Sequence, residues 1–426
     1  MCEKMNYSEL AFPSGEGAPQ GRMSWDVSSY GSHTSQVAPH PSALRAATFP
    51  RGEGLISQNG VIMMNLSNLS LLVIAGGQST RLGRDKRQLQ LGDKSLLEIT
   101  LAKGRDAGFT EIFLCAEAPS PFLTELAEEY GATLLLDEKQ NFGPVSGLAK
   151  GLSSISKPWA LTMAGDMPFL DLEELCRWGA TLPTSELALV PVTQGRLQPL
   201  AAFYRRETAT YFQKALHDNI GKIRQVLEAF PCNKGEYTGS PSHFFNLNTP
   251  ADWRLAQGRF ANLQRRVPII SITAPASGTG KTTFIEKLLP RLRKRGIRTG
   301  VIKSDSHGFN LDMEGKDSCR FSEAGAESVA VISPQGWFIT QKTAQRADFE
   351  AVASKMEGID LLLTESRSHG TLPTLSLWRG KGTPLAGEDV AAIFTSEPHA
   401  EAAAIYEYNL NDIEKAVELC LFLMGR

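Results

Sequence analysis

Two glycine-rich loops, each lying between an apolar run of strand length and a helical pattern, constrain the fold of this chain more than any other feature. The first loop follows the run LSLLVIA, which begins at Leu69, and the second follows VPIISITA, which begins at Val267. Around both loops, runs of about five apolar residues alternate with helical segments. That alternation is typical of βαβ units, in which consecutive strands are parallel. The sequence therefore predicts an α/β chain with two doubly wound parallel-sheet domains.

The limits of this alternation divide the chain. Residues 1–66 are rich in Ser, Gly and Pro and carry no regular apolar period, so they are predicted to be disordered or a mis-annotated extension. Translation from Met63 and a genuine flexible tail remain open as alternatives. Residues 67–258 form the first predicted domain, the polar stretch 259–266 forms a linker, and residues 267–426 form the second domain.

Charge and cysteine usage exclude several classes of protein. The chain has 44 Lys and Arg against 46 Asp and Glu, a formal net charge of −2, which gives no overall attraction for nucleic acid or an anionic membrane. Its six cysteines include no C-x-x-C pair, so neither a disulfide framework nor a zinc site is indicated. No run reaches the roughly 20 apolar residues of a membrane span. We therefore expect a cytoplasmic protein without nucleic-acid or membrane partners.

The first loop combines glycines with basic residues at the predicted end of a strand. In a parallel sheet, ligands bind beyond the carboxyl ends of the strands, and paired glycines let backbone N–H groups approach phosphate oxygens. Basic residues that follow would add cationic donors to a triphosphate. A glycine turn with solvated basic residues is the alternative. The candidate residues of this loop are Ile74, Ala75, Gly76, Gly77, Arg81 and Lys86.

Two carboxylates follow later strands and are expected at the same sheet edge. Asp166 ends the strand WALTMAGD, and a single carboxylate there suits a Mg²⁺ that bridges substrate phosphates. A helix cap is the alternative, although Asp171 is better placed for it. Asp137 ends ATLLLD and would either accept hydrogen bonds from a nucleobase or cap a turn. The turn Gly143-Pro144 follows and opens a helix.

The second loop has the layout that holds nucleotide phosphates at a helix N-terminus. Lys281 is expected on the β- and γ-phosphates, and the Thr282 hydroxyl on Mg²⁺. Pro275 stands where the strict G-x-x-x-x-G-K-[ST] motif has its first glycine. A later strand ends in Glu365. This carboxylate is expected to hold or activate magnesium-bound water, and the alternative is a structural helix cap or a surface acid. His307 either lies near the nucleotide or is inert. The candidate residues of the loop are Ser277, Gly278, Thr279, Gly280, Lys281, Thr282 and Thr283.

The segment from about Leu69 to Trp253 resembles the molybdenum cofactor guanylyltransferase (MobA) family. Family members carry an AGG-x3-R-x-G-x-DK loop, a GP-x-x-G turn, a GD-x-P strand end and a late N-x-NTP. The matching residues are Ala75 to Lys86, Gly143-Pro144, Gly165-Asp166 with Pro168, and Asn246-Leu247-Asn248-Thr249-Pro250. The family often has an Asn after the strand that here reads IFLCAEAP, and this chain has none there.

This resemblance implies a Rossmann-like nucleotidyltransferase that transfers GMP from GTP to the terminal phosphate of molybdenum-molybdopterin and releases pyrophosphate. A phosphate nucleophile is already anionic at pH 7, so no general base is needed, and positioning with charge neutralisation suffices. Arg196 and Gln198 match the part of such enzymes that faces the acceptor. The implied catalytic residues are Arg81, Lys86 and Asp166. The implied nucleotide contacts are Gly76, Gly77, Lys86, Asp137 and Asp166, with Asp166 also on magnesium.

Residues 267–426 resemble the molybdopterin-guanine dinucleotide adaptor GTPase (MobB) family. The resemblance implies a P-loop NTPase fold that binds GTP and Mg²⁺ and has an adaptor role or weak GTPase activity. The family usually follows Glu365 with a Gly and an aromatic residue, whereas here Ser366-Arg367-Ser368 stands. A basic residue common near Ser322 is also missing. The matching residues are SGTGKTT, Val301-Ile302-Lys303, Gly315-Lys316-Asp317-Ser318, Ala324-Gly325-Ala326 and Glu365.

Together the resemblances cover about residues 67–426 and predict a guanylyltransferase fused to its GTP-binding accessory domain. They imply Mg²⁺ as cofactor, GTP and molybdenum-molybdopterin as substrates, apo-molybdoenzymes or cofactor-biosynthesis proteins as partners, and allow a homo-oligomer. Two alternatives remain open. In one, the first domain is a nucleotidyltransferase for another acceptor and carries out cytidylyl transfer to molybdopterin or transfer to a sugar phosphate. In the other, the second domain is a non-catalytic adaptor.

Overall fold

The computed structural model describes residues 66–76, 85–182, 185–304, 317–345, 347, 349–366, 370–398 and 404–426. Strands in the first half are β1 (Leu69–Ile74), β2 (Gln90–Leu91), β3 (Lys94–Ser95), β4 (Ile112–Ala116), β5 (Thr133–Leu136), β6 (Trp159–Ala164), β7 (Ala188–Thr193), β8 (Arg196–Leu197), β9 (Phe203–Arg205) and β10 (Cys232–Glu236). Its helices are α1 (Leu96–Asp106), α2 (Pro121–Tyr130), α3 (Pro144–Ser154), α4 (Leu172–Ala180), α5 (Ala209–His217), α6 (Ile223–Leu227) and α7 (Pro250–Leu263). Short 3-10 helices lie at Leu66–Asn68, Lys86–Gln88, Arg206–Thr208 and Pro241–Phe244.

The second half repeats the alternation. Its strands are β11 (Ile269–Thr273), β12 (Thr299–Lys303), β13 (Ser328–Ser333), β14 (Gly336–Gln341), β15 (Leu361–Glu365), β16 (Thr374–Trp378), β17 (Val390–Thr395) and β18 (Tyr406–Asn409). Its helices are α8 (Lys281–Lys294), α9 (Asp317–Glu323), α10 (Phe349–Ala353) and α11 (Ile413–Leu423). Among the described residues, no helix is long and apolar enough to cross a membrane.

The first sheet is mostly parallel, as predicted, but not throughout. Its order is β10-β7-β9-β6-β1-β4-β5, with β8 paired to β7. β1 pairs in parallel with both β4 and β6, whereas β9 runs antiparallel to β6 and β7. Only a short segment joins β7 to β9, and parallel neighbours need a longer crossover connection. The prediction of a parallel sheet is therefore confirmed for the strands that carry the first loop and corrected at β9.

The second sheet is parallel throughout, in the order β12-β15-β11-β16-β17-β18. β11 lies inside it, between β15 and β16. A separate antiparallel hairpin, β13 with β14, was not predicted from the sequence. Its apolar side chains include Ile332 and Trp337, which are 82% and 66% exposed. The hairpin therefore does not belong to either hydrophobic core, although its sequence is apolar.

Each sheet is covered on both faces, which explains the near-continuous apolar runs of its strands. In β1, Leu69, Leu71 and Val73 enter one core, while Leu72 and Ile74 enter another. The same division separates Ile270 and Ile272 of β11 from Ile269 on the opposite face.

Helix α7 connects the two halves, which belong to one compact unit. A capping box between Thr249 and Asp252 starts it, and it continues through residues 259–263 of the stretch predicted as linker. Asn262 Nδ2 donates to Leu423 O at 3.2 Å, and Tyr406 donates its hydroxyl to Asp252 Oδ1 at 2.5 Å. The placement of the domain boundary stays a prediction, but α7 contacts residues of both halves.

Candidate nucleotide-binding sites

The carboxyl ends of β1, β4, β5 and β6 meet at one edge of the first sheet. Gly165, directly after β6, donates its N–H to Ile74 O at 3.0 Å. A Cβ on Gly165 would lie 3.2 Å from Leu97 Cδ1 and 3.6 Å from Ile74 O. This glycine therefore lets the end of β6 approach the end of β1, and it brings Asp166 beside the first loop.

Lys86 and Asp166 form an ion pair at this edge. The Lys86 Nζ lies 2.6 Å from Asp166 Oδ2, and the two side chains are 19% and 13% exposed. Asp85 fixes the short helix that begins at Lys86 by accepting a hydrogen bond from Arg87 N at 3.0 Å. The pairing brings together two of the three predicted catalytic residues. Gly77 and the third, Arg81, lie outside the described residues.

The late N-x-NTP segment binds the backbone of Asp166. Leu247 donates its N–H to Asp166 O at 3.0 Å. Two residues later, the Thr249 side chain caps α7. The predicted metal ligand is thus attached through its backbone to the segment that starts the connecting helix.

Asp137 lies at the end of β5 and faces glycines from two other elements. A Cβ on Gly147 would lie 3.5 Å from Asp137 Oδ1, and one on Gly76 would lie 4.0 Å from Oδ2. Oδ1 is buried and has no hydrogen-bond partner among the described residues. Burial, with the nearby charge of Glu117, raises the pKa of Asp137 to about 6. An unused carboxylate oxygen beside glycines suits an N–H donor of a ligand.

Four other predicted residues of the first half lie at a helix start and in a short hairpin. Gly143 has a φ of +78° and precedes α3, which begins at Pro144. Arg196 belongs to β8, and Gln198 donates its N–H to Pro191 O at 2.9 Å. The hairpin of Arg196 and Gln198 reaches β6 through Pro199 O, 3.5 Å from Thr162 Oγ1. These contacts do not place either acceptor candidate on Lys86 or Asp166.

The second loop turns from β11 into α8 as predicted. Gly278 and Gly280 have φ angles of +71° and +96°, and Thr279 donates its hydroxyl to Ala276 O at 2.7 Å. Lys281 begins α8, and the residue before it provides no side-chain cap. The first N–H groups of α8 are therefore free of side-chain acceptors at the cap position, as in helix N-termini that bind phosphate.

Thr282 and Glu365 meet at the mouth of this loop. The Thr282 hydroxyl donates to the Glu365 carboxylate, with Oγ1 lying 3.1 Å from Oε1 and 3.2 Å from Oε2. The parallel pairing of β11 with β15 sets Glu365 opposite Ile272, at the end of the strand that leads into the loop. His307 and Arg367, which sequence reasoning singled out, lie outside the described residues.

Comparison with known proteins decides the family. Residues 71–234 match the family model "MobA-like NTP transferase domain", and residues 269–396 match "Molybdopterin guanine dinucleotide synthesis protein B". The probable molybdenum cofactor guanylyltransferase of a Nostoc species is 30% identical over 46% of this chain and 95% of its own length. The molybdopterin-guanine dinucleotide biosynthesis adapter protein of Haemophilus influenzae is 36% identical over 32% of this chain and 79% of its own.

The chain belongs to the MobA and MobB families, fused in one polypeptide. The resemblance drawn from the two loops is thereby confirmed, and so is the fold class. The MobA-like half is a nucleotidyltransferase domain by family. The roles of the individual site residues stay predictions.

One acid at this sheet edge of the MobA-like half was not predicted from the sequence. Glu117 follows β4, the neighbour of β1, and its Cγ lies 3.8 Å from the position that a Cβ on Gly76 would take. It is also a cause of the raised pKa of Asp137. An acid directly after a buried strand next to β1 was the available signal, and it indicates the same sheet edge as Asp137.

Three side chains of metal-binding type also meet at the start of α4. The ligand atoms of Asp171, Glu174 and His243 lie within 4.8 Å of one another. Asp171 accepts a hydrogen bond from Glu174 N at 2.9 Å, and His243 Nδ1 lies 3.1 Å from the Tyr237 hydroxyl. Burial lowers the pKa of His243 to about 4. These contacts give the group a structural role, and we assign no ion to it.

Proposed function

We propose that the MobA-like half transfers GMP from GTP to the terminal phosphate of molybdenum-loaded molybdopterin, and that the MobB-like half binds a second GTP through its P-loop. The observation that carries the first part is the Lys86–Asp166 pair at the sheet edge where Asp137 Oδ1 lacks a described partner. At this one edge, Lys86 provides a cation for phosphates, Asp166 provides an oxygen for a metal ion, and Asp137 provides a hydrogen-bond acceptor for a base.

The reaction is a displacement at phosphorus. A phosphate oxygen of molybdopterin attacks the α-phosphorus of GTP, the bond from that phosphorus to the bridging oxygen breaks, and pyrophosphate leaves with the electron pair. Lys86 binds phosphate oxygens and neutralises the charge that develops on the leaving group. Asp137 accepts hydrogen bonds from guanine N–H groups, which positions the nucleotide relative to Lys86.

The donor sets of both sites fit Mg²⁺, which prefers carboxylate and hydroxyl oxygens and keeps contact with substrate phosphates. Asp166 would hold the ion in the MobA-like half. Thr282 and Glu365, already within 3.2 Å of each other, would hold it in the MobB-like half. When bound, the ion supplies charge neutralisation on the phosphates.

For the MobB-like half, we infer a GTP-binding adaptor that contacts apo-molybdoenzymes or cofactor-biosynthesis proteins. The support is the P-loop geometry around Lys281 together with the relationship to an adapter protein. Any hydrolysis would use water near Glu365. The role of Glu365 in hydrolysis is tested by measuring GTP turnover in the full chain, with and without Glu365→Gln. A turnover rate that is the same in both chains contradicts that role.

The transfer reaction has a direct test. Purified full chain is incubated with Mg²⁺, molybdenum-loaded molybdopterin and either GTP or CTP, and the dinucleotide product is identified by mass spectrometry. A GMP adduct formed only from GTP is the expected result. A CMP adduct would move the base choice to cytosine, and no adduct with either nucleotide would contradict molybdopterin as the acceptor.

A further inference from the structure

The turn after β16 places an arginine against the P-loop. β16 pairs in parallel with β11, with Ser271 opposite Thr374 and Thr273 opposite Ser376. The chain therefore leaves β11 into the P-loop and leaves β16 into the turn at Arg379 on the same edge of the sheet. β15, which ends in Glu365, flanks β11 on the other side.

The turn itself is anchored rather than merely exposed. Trp378 donates its indole Nε1–H to Gly382 O at 3.0 Å. Gly380 and Gly382 have φ angles of +73° and +72°, conformations that glycine adopts without strain. A Cβ on Gly382 would lie 3.6 Å from Pro275 Cβ, so the turn packs against the proline that replaces the first glycine of the strict motif.

The guanidinium of Arg379 lies over the glycine that precedes the P-loop lysine. Its Nη2 is 3.3 Å from the position that a Cβ on Gly280 would take, and its Cζ is 3.8 Å away. Gly280 has a φ of +96°, so backbone conformation already favours glycine there. The missing side chain also leaves space for the guanidinium beside the loop.

Positive charge accumulates at this point, and no carboxylate among the described residues pairs with it. Lys281 and Arg379 both lie at the N-terminus of the 14-residue helix α8, where the helix dipole adds partial positive charge. Within the described part of the chain, neither side chain makes an ion pair or a hydrogen bond. The nearby Glu365 accepts from Thr282 instead. Two cations beside the same loop repel each other, and an anion that binds beside both of them is favoured.

We propose that Arg379 is a nucleotide-binding residue of the MobB-like half, whose guanidinium binds phosphate oxygens on the side of the phosphate chain opposite Glu365. The inference rests on the proposed function of the P-loop. Because Thr282 and Glu365 mark the magnesium side, where the β- and γ-phosphates are bridged, Arg379 is expected on oxygens that GDP and GTP share.

The test is a titration of the full chain with GDP and with GTP by isothermal calorimetry. The Lys281→Ala chain identifies the part of the binding that belongs to the P-loop. Arg379→Gln should lower the P-loop affinity for both nucleotides alike by about 10- to 100-fold, the effect of losing a charge-assisted hydrogen bond. Arg379→Lys should retain part of the affinity. Lys381→Gln removes an equal charge from the same exposed turn and should leave binding unchanged.

Several outcomes would overturn the inference. Unchanged affinity in Arg379→Gln, or an equal loss in Lys381→Gln, would reduce Arg379 to a surface charge. A loss confined to GTP would contradict its placement away from the γ-phosphate. If Lys281→Ala itself leaves all nucleotide binding intact, the P-loop proposal fails together with the role of Arg379. Thermal unfolding of each variant shows that the chain still folds.

Discussion

The proposed nucleotide sites of the two halves each lie at the carboxyl ends of parallel strands, but they arrange their charges differently. In the MobA-like half, the cation and the proposed metal-binding carboxylate neutralise each other, with Lys86 Nζ 2.6 Å from Asp166 Oδ2. In the MobB-like half, Glu365 accepts from the Thr282 hydroxyl. There, Lys281 makes no ion pair with any described residue.

This difference suits two different tasks. Under the proposed function, magnesium and phosphates that enter the first site compete with the Lys86–Asp166 ion pair. Lys86 would then exchange Asp166 for the phosphates, and Asp166 would exchange Lys86 for the ion. In the second site, neither Lys281 nor Arg379 pairs with a carboxylate among the described residues, so phosphate binding needs no such exchange, which favours simple binding. The comparison predicts that the first site is specialised for transfer and the second for nucleotide retention.

The largest expected effect comes from removing Asp166, the proposed metal-binding carboxylate of the first site. Asp166→Ala should reduce GMP transfer by about 1000-fold or more, since magnesium contributes several kcal/mol to stabilising transition-state charge. GTP binding by the P-loop should persist. Product formation at saturating Mg²⁺ is the measurement, and Asp93→Ala, an exposed acid in the β2–β3 turn, is the control. Substantial residual transfer would show that Asp166 serves only as the partner of Lys86.

Removing the P-loop lysine tests whether the two sites are independent. Lys281→Ala should lower GTP affinity at the second site by about 100-fold, because a charge-assisted contact to phosphate is lost, and it should spare transfer. Calorimetry and the transfer assay on the same preparation measure both. A parallel fall in transfer would break the separation of tasks and show coupling between the halves.

The hydrogen bond between Tyr406 and Asp252 tests how strongly α7 is attached to the second half. Tyr406→Phe removes the hydroxyl that donates to Asp252 Oδ1, and the free energy of unfolding should fall by about 1.5–3 kcal/mol, the range for a hydrogen bond to a charged group. Urea denaturation measures it. Tyr408→Phe, in the same strand, is the matched control, and equal losses in the two variants would remove the special role of Asp252.

The smallest expected effect concerns Asp137 and depends on pH. Its pKa rises from 3.8 to about 6 on folding, so between these values the folded state binds more protons than the unfolded state, and stability falls as pH rises from about 4 to 6. Asp137→Asn should abolish this slope and, after allowance for solvent screening, raise the free energy of unfolding at pH 7 by about 1 kcal/mol. It should also weaken GTP use in transfer.

Urea denaturation at pH 4, 5, 6 and 7 checks the Asp137 prediction. Glu125→Gln, an exposed acid on α2, provides the control for general charge effects. A variant that is less stable than the parent chain at pH 7 would show that Asp137 has a structural partner, and the base-binding role would then lose its support.

Several elements were predictable because their signals are local. The segment PFLTELAEEYG becomes α2, which begins at Pro121 and is capped by Ser120 at one end and Gly131 at the other. Likewise, β11 and the start of α8 at Lys281 follow from an apolar run, glycines and a helix start within a few residues. The fold class followed from repeating such units. β9 and the β13–β14 hairpin were not predicted, because strand direction and an exposed hairpin leave weak traces in apolar periodicity.

The sequence by itself determined which residues end strands and open helices, and therefore which glycines, lysines and acids were available for nucleotide chemistry. Only the tertiary structure decided which of them meet. Lys86 and Asp166 are 80 positions apart, Asp137 faces glycines from two other elements, and Arg379 reaches Gly280 from a neighbouring strand. Such contacts depend on strand order and register across the sheet, and these are set by burial of both faces rather than by any local pattern.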